Sequence, residues 1–224
     1  MKHIITAVIP VRAGSRRLLN KNILPFGDSN LLIHKIRQLK SVSSIDNIVV
    51  SSDSDEMLAM AKYEGVGTHK RAPEYCDEET KTFNEVVEHI AQNVTGDSVM
   101  WAPCVCPLTV PANYSGAIKT YLDLVIDKKQ YDSVISVKRF KEYLWNEKEP
   151  VNYKLGIVHV ISQNLPDWNI VVNGFHLAQR EDMIKWKYVY SNNSFLYVLS
   201  KREATDIDDA EDFEIAKALL NIKE

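Results

Sequence analysis

Cysteine is scarce in this sequence, and long apolar runs are missing. Three cysteines occur in 224 residues, at positions 76, 104 and 106. That number is too small for a disulfide framework, and an odd number would leave one thiol unpaired. The first apolar run ends at Pro10, which makes it too short for a signal peptide's apolar region or for a membrane span. We therefore expect a cytoplasmic protein with no membrane partner.

An excess of either charge is also missing. The chain carries 27 basic and 30 acidic residues, for a net charge of −3, which argues against nucleic acid as a partner. With 45% hydrophobic residues, its composition is ordinary for a globular protein. A length of 224 residues suits one α/β domain. We predict a single domain over residues 1–224.

One short stretch is strongly basic despite this overall balance. Its sequence is IPVRAGSRRLLNKN, and it follows an apolar run rich in β-branched residues. Its four cations are Arg12, Arg16, Arg17 and Lys21. A strand followed by such a loop has the outline of a phosphate site, because Arg and Lys both bind phosphate. A solvated surface loop would give the same pattern, and the residues alone leave both interpretations open.

Glycine is too sparse in this loop for the common phosphate-binding motifs. Gly14 is the only glycine before Gly27, so neither G-x-x-x-x-G-K-[ST] nor G-x-G-x-x-G is present. A phosphate would have to be held mainly by side chains. The backbone N–H groups around Ala13, Gly14 and Ser15 would help.

Strands and helices are predicted to alternate along most of the chain. Apolar runs predict strands over 4–11, 45–51, 98–102, 132–137 and 195–199, with a further ordered segment over 170–178. Helical spacing of apolar residues predicts helices over 31–39, 53–64, 82–94, 112–126, 180–185 and 210–220. This order is typical of a Rossmann-like, mainly parallel sheet with helices on both faces. Such sheets bind ligands at the carboxyl ends of their strands, where the basic loop would lie.

The alternation stops over residues 138–168. This segment is polar and aromatic, and it contains Pro150 and Pro166. We interpret it as an excursion from the sheet, built around a small hairpin. It carries more aromatic residues than a peripheral loop should expose, namely Phe140, Tyr143, Trp145, Tyr153 and Trp168. We therefore expect it to pack against a second subunit in a homodimer.

A pair of acidic residues lies near the other end of the chain, in the stretch ATDIDDAEDFEIA. Asp206 and Asp208 are two positions apart, so in an extended segment their side chains share one face. Two carboxylates on one face favour a bound cation, and Mg²⁺ with a triphosphate is the natural candidate. A second hypothesis is local: Asp208 and Glu211 have the spacing of a capping box for the last helix. Both hypotheses can hold for different residues of the run.

These motifs together resemble the acylneuraminate cytidylyltransferase (CMP-sialic acid synthetase) family. The basic loop matches the first family motif without a gap. The stretch IVVSSDSD is similar to the second family strand. Further likenesses follow in the family's order, at Arg71 with the nearby Pro-Glu, at NGFHLAQ and at TDIDD. The resemblance covers most of the chain and implies the fold of the nucleotide-diphospho-sugar transferases.

The resemblance also implies roles for individual residues. It implies that CTP phosphates contact Arg12 and Lys21, with Ala13, Gly14, Ser15 and Arg16 nearby. It implies that the nucleoside and its cytosine contact Asn22, Arg71, Thr80 and Thr82. The Mg²⁺ ligands would be Asp206 and Asp208, and the acidic sugar acceptor would contact Gln163 and Asn173. The implied reaction transfers CMP from CTP to a 2-keto-3-deoxy sugar acid, with release of pyrophosphate.

The chain departs from the family on the acceptor side. Many members have Gln-Pro-Thr-Ser-Pro-Leu-Arg after the fourth strand, whereas this chain has Pro-Cys-Val-Cys-Pro-Leu-Thr over residues 103–109. We expect Cys104 and Cys106 to be small buried thiols rather than a metal site. The acceptor would be a sialic-acid-like nonulosonate, with an eight-carbon ulosonic acid or a phosphonate as the alternative. A nucleotide-binding domain without catalysis is the remaining hypothesis.

Overall fold

The described residues form an α/β structure with one main sheet. The structure, a computed structural model, describes residues 2–15 and 17–222. The strands are β1 (Ile5–Pro10), β2 (Pro25–Phe26), β3 (Ser29–Asn30), β4 (Asn47–Ser52), β5 (Gly67–Lys70), β6 (Ser98–Trp101), β7 (Ser133–Phe140), β8 (Trp168–Gln179) and β9 (Ser194–Val198). The helices are α1 (Leu31–Lys40), α2 (Asp55–Tyr63), α3 (Phe83–Gln92), α4 (Pro111–Tyr121), α5 (Arg180–Trp186) and α6 (Ala210–Asn221).

The sheet places β1 between two parallel neighbours. In the described part of the chain, seven strands follow the order β5-β4-β1-β6-β8-β7-β9. β1 pairs in parallel with β4 and β6, while β8 runs antiparallel to both β6 and β7. All of β1 except Pro10 is buried, which explains its unbroken apolar sequence. The chain order on either side of β1 puts the carboxyl end of this strand at the position where open α/β sheets bind ligands.

Helices cover both faces of the sheet, and the predicted fold class is confirmed. Helices α1, α2, α4 and α6 pack on one face around a core that includes Leu32, Ile36 and Tyr114. Helices α3 and α5 pack on the other face around Val87, Ile90 and other apolar residues. Among the described residues, no helix is both long and apolar enough to cross a membrane.

The segment between β7 and β8 leaves the sheet, as the sequence predicts. Within it the structure has one isolated antiparallel bridge, between Trp145 and Pro150, and one 3₁₀ turn over Ser162–Asn164. Several apolar side chains of this segment are exposed, among them Leu155, Ile157 and Val158. Its role in a homodimer and the single-domain boundaries stay predictions.

Candidate active site

A cleft of about 520 Å³ opens beside the carboxyl end of β1. Its walls come from four parts of the chain: the loop after β1, the turn after β5, the start of α3, and the end of β6 with the loop that follows. The lining includes Arg12, Ser15, Arg17, Lys21, Asn22, Arg71, Tyr75, Phe83, Trp101 and Val105. The structure therefore brings five of the predicted nucleotide residues to one cavity.

The loop after β1 contains two residues with left-handed backbone geometry and is fixed by hydrogen bonds. Gly14 has a φ of +67° and Asn20 a φ of +53°, both in the left-handed region. The Ala13 N–H donates to Asp53 Oδ1 at 2.9 Å, which ties the loop to the end of β4. Buried Asn22 donates from Nδ2 to the Arg12 carbonyl at 3.3 Å. Arg16, also predicted for this site, lies outside the described residues.

Arg12 lines the cleft and joins the loop after β1 to the turn after β5. Its Nη1 donates to the Cys76 carbonyl at 2.8 Å, and its Nη2 pairs with Glu78 Oε1 at 2.8 Å. The Glu78 carboxylate is largely exposed, so this ion pair is weak and easily exchanged for a phosphate.

Arg71 is a buried cation at the base of the cleft. It is 4% exposed, and its guanidinium donates to the carbonyls of Tyr75, Val11 and Ser51. Its Nε has no hydrogen-bond partner among the described residues. Burial lowers the pKa of Arg71 below its ordinary value. Arg71 therefore joins the turn after β5 to the ends of β1 and β4.

Thr80 and Thr82 lie near the cleft without lining it. Thr80 Oγ1 donates to Asp77 Oδ2 at 2.7 Å. Thr82 is the N-cap of α3 in a capping box with Glu85. Hydrogen bonds from Thr82 and Lys81 lower the pKa of Glu85 to about 2. Both threonine hydroxyls are occupied locally, and their predicted contacts with cytosine stay predictions.

Asp206 and Asp208 lie against the basic loop. Lys21 Nζ donates to the Ile207 carbonyl, between the two acids, at 2.7 Å. Burial lowers the pKa of Lys21, and the charges of Asp208 and Asp206 partly oppose that shift. Arg17 Nη2 pairs with Asp208 Oδ1 at 2.7 Å. The two constellations that the sequence singled out therefore meet at one edge of the cleft.

Asp206 is a partly buried carboxylate, and one of its two oxygens has no hydrogen-bond partner among the described residues. Its Oδ2 accepts from Asn173 Nδ2 at 3.0 Å, which brings this predicted acceptor residue to the acid pair. Its Oδ1 is buried and has no partner among the described residues. Burial raises the pKa of Asp206 above its ordinary value. An orphaned, desolvated carboxylate oxygen is a position where a hard cation fits.

The capping hypothesis for Asp208 is wrong by one residue. The N-cap of α6 is Asp209, whose side chain accepts from Glu211 N at 2.9 Å and from Asp212 N at 3.1 Å. Asp212, rather than Glu211, completes the capping box. The side chain of Asp208 is therefore not used to cap the helix.

Gln163 and the two cysteines differ in exposure. Gln163 is exposed in the turn at Ser162–Asn164, where its carbonyl accepts from Lys141 Nζ at 2.9 Å. The cleft lining does not include it, and its acceptor role stays a prediction. Cys104 and Cys106 are buried, as expected, and burial raises the pKa of both thiols.

Several residues of the site were not assigned from the sequence. Arg17 was counted only as one of four cations, because its ionic partner is 191 positions away. The aromatic wall of Tyr75, Phe83 and Trp101 comes from three separate elements. Asp53 could have been assigned from the sequence, because it closely follows a predicted strand in the stretch IVVSSD and would lie at the same edge of the sheet as the basic loop.

A mainly parallel α/β sheet with cations and a carboxylate pair at the carboxyl end of its central strand is typical of a nucleotidyltransferase. Residues 6–144 match the model of a family described as cytidylyltransferase, which is more than half of the chain. The chain belongs to this cytidylyltransferase family, as the resemblance predicted.

Curated relatives cover nearly the whole chain at low identity. The chain is 26% identical over 222 residues to N-acylneuraminate cytidylyltransferase of Escherichia coli O18:K1:H7, covering 96% of this chain and 52% of that protein. It is 25% identical to pseudaminic acid cytidylyltransferase of Campylobacter jejuni subsp. jejuni, covering 96% and 95%. The chain thus spans about half the length of the first relative and nearly all of the second.

Solved structures agree on the fold. A CMP:2-keto-3-deoxy-manno-octonic acid synthetase in complex with CTP superposes with a TM-score of 0.70 at 12% identity, over 97% of this chain and 98% of that one. The 4-diphosphocytidyl-2C-methyl-D-erythritol synthase of Anaerococcus prevotii gives a TM-score of 0.69, also at 12% identity, over 98% and 97%.

Proposed function

We propose that this chain transfers CMP from CTP to an acidic 2-keto-3-deoxy sugar and releases pyrophosphate. The observation that carries the proposal is the hydrogen bond from Lys21 to the Ile207 carbonyl, because it joins the basic loop to the acid pair at one cleft. Membership in the cytidylyltransferase family supports CTP as the donor. The names of relatives that act on N-acylneuraminate and pseudaminic acid support an acidic nine-carbon sugar as the acceptor.

The triphosphate would bind between the basic loop and the acid pair. Arg12 and Lys21 would exchange their present partners, Glu78 and the Ile207 carbonyl, for phosphate oxygens. The backbone N–H groups around Gly14 would add neutral donors. Asn22 and Arg71 would hold the nucleoside from the base of the cleft. These contacts would neutralise a substrate of about four negative charges. Because the cations are clustered at the cleft, the chain as a whole need not be basic.

The residues of the acid pair fit Mg²⁺. Asp206 offers a buried oxygen with no partner among the described residues, and Asp208 offers an oxygen now paired with exposed Arg17. No cluster of three or more His, Cys, Asp or Glu that could hold a metal occurs in residues 2–15 and 17–222. Two carboxylates suit Mg²⁺, which completes its coordination with water and substrate phosphates. When bound, Mg²⁺ supplies positive charge to the triphosphate as charge moves to the leaving group.

The reaction needs positioning and charge stabilisation more than covalent catalysis. The anomeric hydroxyl of the acceptor attacks the α-phosphorus and loses its proton to solvent, so that a new P–O bond forms. The bond from the α-phosphorus to the bridging oxygen breaks, and pyrophosphate leaves with that oxygen. Lys21 and Arg12 would hold the phosphate oxygens on which charge accumulates.

The acceptor would approach from the side of Asn173. We propose a sialic-acid-like nonulosonate, and we keep an eight-carbon ulosonic acid or a phosphonate as the alternative because the 103–109 loop lacks the Gln and Arg common in the family. Gln163 is exposed in the excursion, and we propose that it contacts the acceptor bound at a second subunit of the homodimer. An intact set of Lys21, Asp206 and Asp208 argues against a domain without catalysis.

We also propose a homodimer that forms through the 138–168 excursion. Its exposed apolar side chains include Leu155, Ile157 and Val158, too large a group for an ordinary loop. The three free cysteines support a reducing compartment, and we propose the cytoplasm.

The test is pyrophosphate release from CTP, UTP or ATP with Mg²⁺ and a panel of acceptors. The panel contains a sialic acid, pseudaminic acid, an eight-carbon 2-keto-3-deoxy acid and a phosphonate. We expect turnover with CTP and a nonulosonate. Equal turnover with UTP or ATP would contradict the base assignment, and CTP binding without turnover on any acceptor would favour the non-catalytic hypothesis.

A further inference from the structure

Lys35 is a lysine in α1 that is fully buried. Its Nζ donates to the Cys106 carbonyl at 3.1 Å and to the Tyr114 hydroxyl. It also lies 5.1 Å from the centre of the Tyr114 ring. No ion pair found within residues 2–15 and 17–222 includes Lys35. Burying a lysine costs free energy unless its N–H donors find acceptors. The Cys106 carbonyl is one of the acceptors that Lys35 uses.

The same face of α1 binds three carbonyls of the 103–109 loop. His34 Nε2 contacts the Pro107 carbonyl at 3.0 Å, next to the bond from Lys35 to Cys106. Gln38, one turn further along, donates to the carbonyls of Pro107 and Thr109 at 2.7 and 2.9 Å. The loop has no helix or strand of its own between β6 and α4. Side chains of α1 therefore supply the hydrogen bonds that its backbone would otherwise lack.

The other side of this loop holds the acid pair. The Val105 carbonyl accepts from the Ile207 N–H at 2.9 Å. Ile207 lies between the two aspartates, and its own carbonyl accepts from Lys21. The Cys106 carbonyl that Lys35 binds and the Val105 carbonyl belong to consecutive peptide units, which meet at the Cys106 Cα. A shift of the Cys106 carbonyl would therefore move the acceptor that fixes Ile207.

We propose that Lys35 is a positioning residue for the cation site formed by Asp206 and Asp208. It acts through the 103–109 loop, which it anchors on the side opposite the carboxylates. The Cys-Val-Cys segment, which differs from the family's usual sequence, then connects Lys35 to Ile207. The inference rests on the proposed function, because it assumes a cation at the acid pair.

The test compares Lys35→Met with Lys40→Met. Methionine keeps the length and packing of lysine without its donors. Lys40 lies on the same helix but is half exposed and donates to the Glu64 carbonyl rather than to the loop. The readouts are Mn²⁺ affinity with CTP present, from the electron paramagnetic resonance signal of free Mn²⁺, and hydrogen exchange over residues 203–209. Both are measured well below each variant's melting temperature.

We expect Lys35→Met to weaken Mn²⁺ binding at least fivefold and to speed exchange over 203–209, while Lys40→Met stays within twofold. A folded Lys35→Met protein with parental Mn²⁺ affinity would overturn the inference, whatever its melting temperature. If Lys35→Met does not fold, Lys35→Gln decides. Its side chain stays polar but is one atom shorter and uncharged, which weakens the bond to the Cys106 carbonyl, and unchanged exchange together with unchanged Mn²⁺ affinity would overturn the inference. A parent chain that binds no Mn²⁺ with CTP would instead contradict the proposed function.

Discussion

Arg17 and Asp208 form an ion pair across the edge of the cleft, with 2.7 Å between Nη2 and Oδ1. Both side chains are more than half exposed, at 67% and 51%. Exposed pairs of this kind contribute roughly 0–1 kcal/mol. The pair therefore occupies one oxygen of the acid pair without holding it strongly, and a divalent cation would compete with Arg17 for Asp208.

Arg17→Gln should raise the affinity of the acid pair for Mn²⁺ in the absence of nucleotide. Glutamine removes the competing charge and keeps a polar side chain in an exposed loop. We expect an increase of about two- to fivefold, in proportion to an exposed ion pair of roughly 0.5–1 kcal/mol. Calorimetric titration with Mn²⁺ measures it, and the melting temperature should stay close to that of the parent. An unchanged or weaker affinity would mean that Arg17 does not compete at this site.

Asp208→Asn should reduce kcat by about a hundredfold or more while leaving the fold intact. The carboxylate is expected to help hold the cation that stabilises charge in the transition state. Stability should change little, because the side chain is half exposed and does not cap α6. The measurement is kcat across a Mg²⁺ titration, together with a melting curve.

The neighbouring residue supplies the control for that variant. Asp209→Asn keeps a good N-cap and should leave both activity and stability close to those of the parent. Asp209→Ala should lose about 1 kcal/mol of stability with activity retained below its melting temperature. If Asp208→Asn kept activity within a few-fold of the parent at saturating Mg²⁺, the metal role of Asp208 would be wrong.

The plot of kcat/KM for CTP against pH should fall on both sides. The acid side should reflect the raised pKa of Asp206, and the alkaline side the lowered pKa of Lys21. Burial raises the pKa of Asp206, so acidification should protonate it at a pH above the ordinary Asp value. Burial lowers the pKa of Lys21, so its cation should be lost at a pH below the ordinary Lys value. Since kcat/KM reports groups of the free enzyme, a profile over pH 4–11 tests both directions. An acid limb at or below the ordinary Asp value would contradict the burial of Asp206.

Asp206→Asn should abolish turnover and leave the ligand-free protein at least as stable as the parent at neutral pH. The raised pKa means that the folded state holds its proton more tightly than the unfolded state. Stability therefore falls as pH rises from the ordinary Asp pKa through the raised one. Asparagine removes the loss and keeps an acceptor for Asn173. Calorimetric melting at pH 4 and pH 7 compares the stability of the variant with that of the parent. A melting temperature that the substitution lowers more at pH 7 than at pH 4 would contradict the prediction.

Ile157→Asp should convert a dimer into a monomer. Ile157 is fully exposed in the excursion, and a carboxylate there would be buried and unpaired at an apolar interface. Tyr63→Asp is the control, because Tyr63 is just as exposed but lies at the end of α2. Sedimentation at micromolar concentration separates the two species. A parent chain that sediments as a monomer would refute the homodimer, and a dimeric Ile157→Asp would place the interface elsewhere.

The fold was largely predictable because its central strand and amphipathic helices leave strong patterns. The structure differs at β5, whose four residues, Gly-Thr-His-Lys, have no apolar alternation and become a strand only by pairing with β4. The antiparallel direction of β8 could not be predicted from the sequence, because a buried strand is equally apolar whether it runs parallel or antiparallel to its neighbours.

The site was predictable where its residues lie close together in the chain. Lys21 and Asn22 follow β1 directly, and their position at the cleft follows from that order. The pairing of Arg17 with Asp208 has no local signal. The cap of α6 was missed by one position, because a run of acids offers two overlapping capping boxes and only the backbone conformation at Asp209 selects between them.

The two ends of the excursion are direct neighbours, since Phe140 in β7 is paired with Trp168 in β8. A segment that leaves and re-enters a sheet through adjacent strands can change in length or sequence without a large entropic cost, because closing a longer loop adds little. The nucleotide cleft lies around β1, two strands from β8 and three from β7. Homologous segments could thus be grafted between Phe140 and Trp168 as interchangeable modules, which makes this junction the natural starting point for engineering new acceptors onto an unchanged donor half.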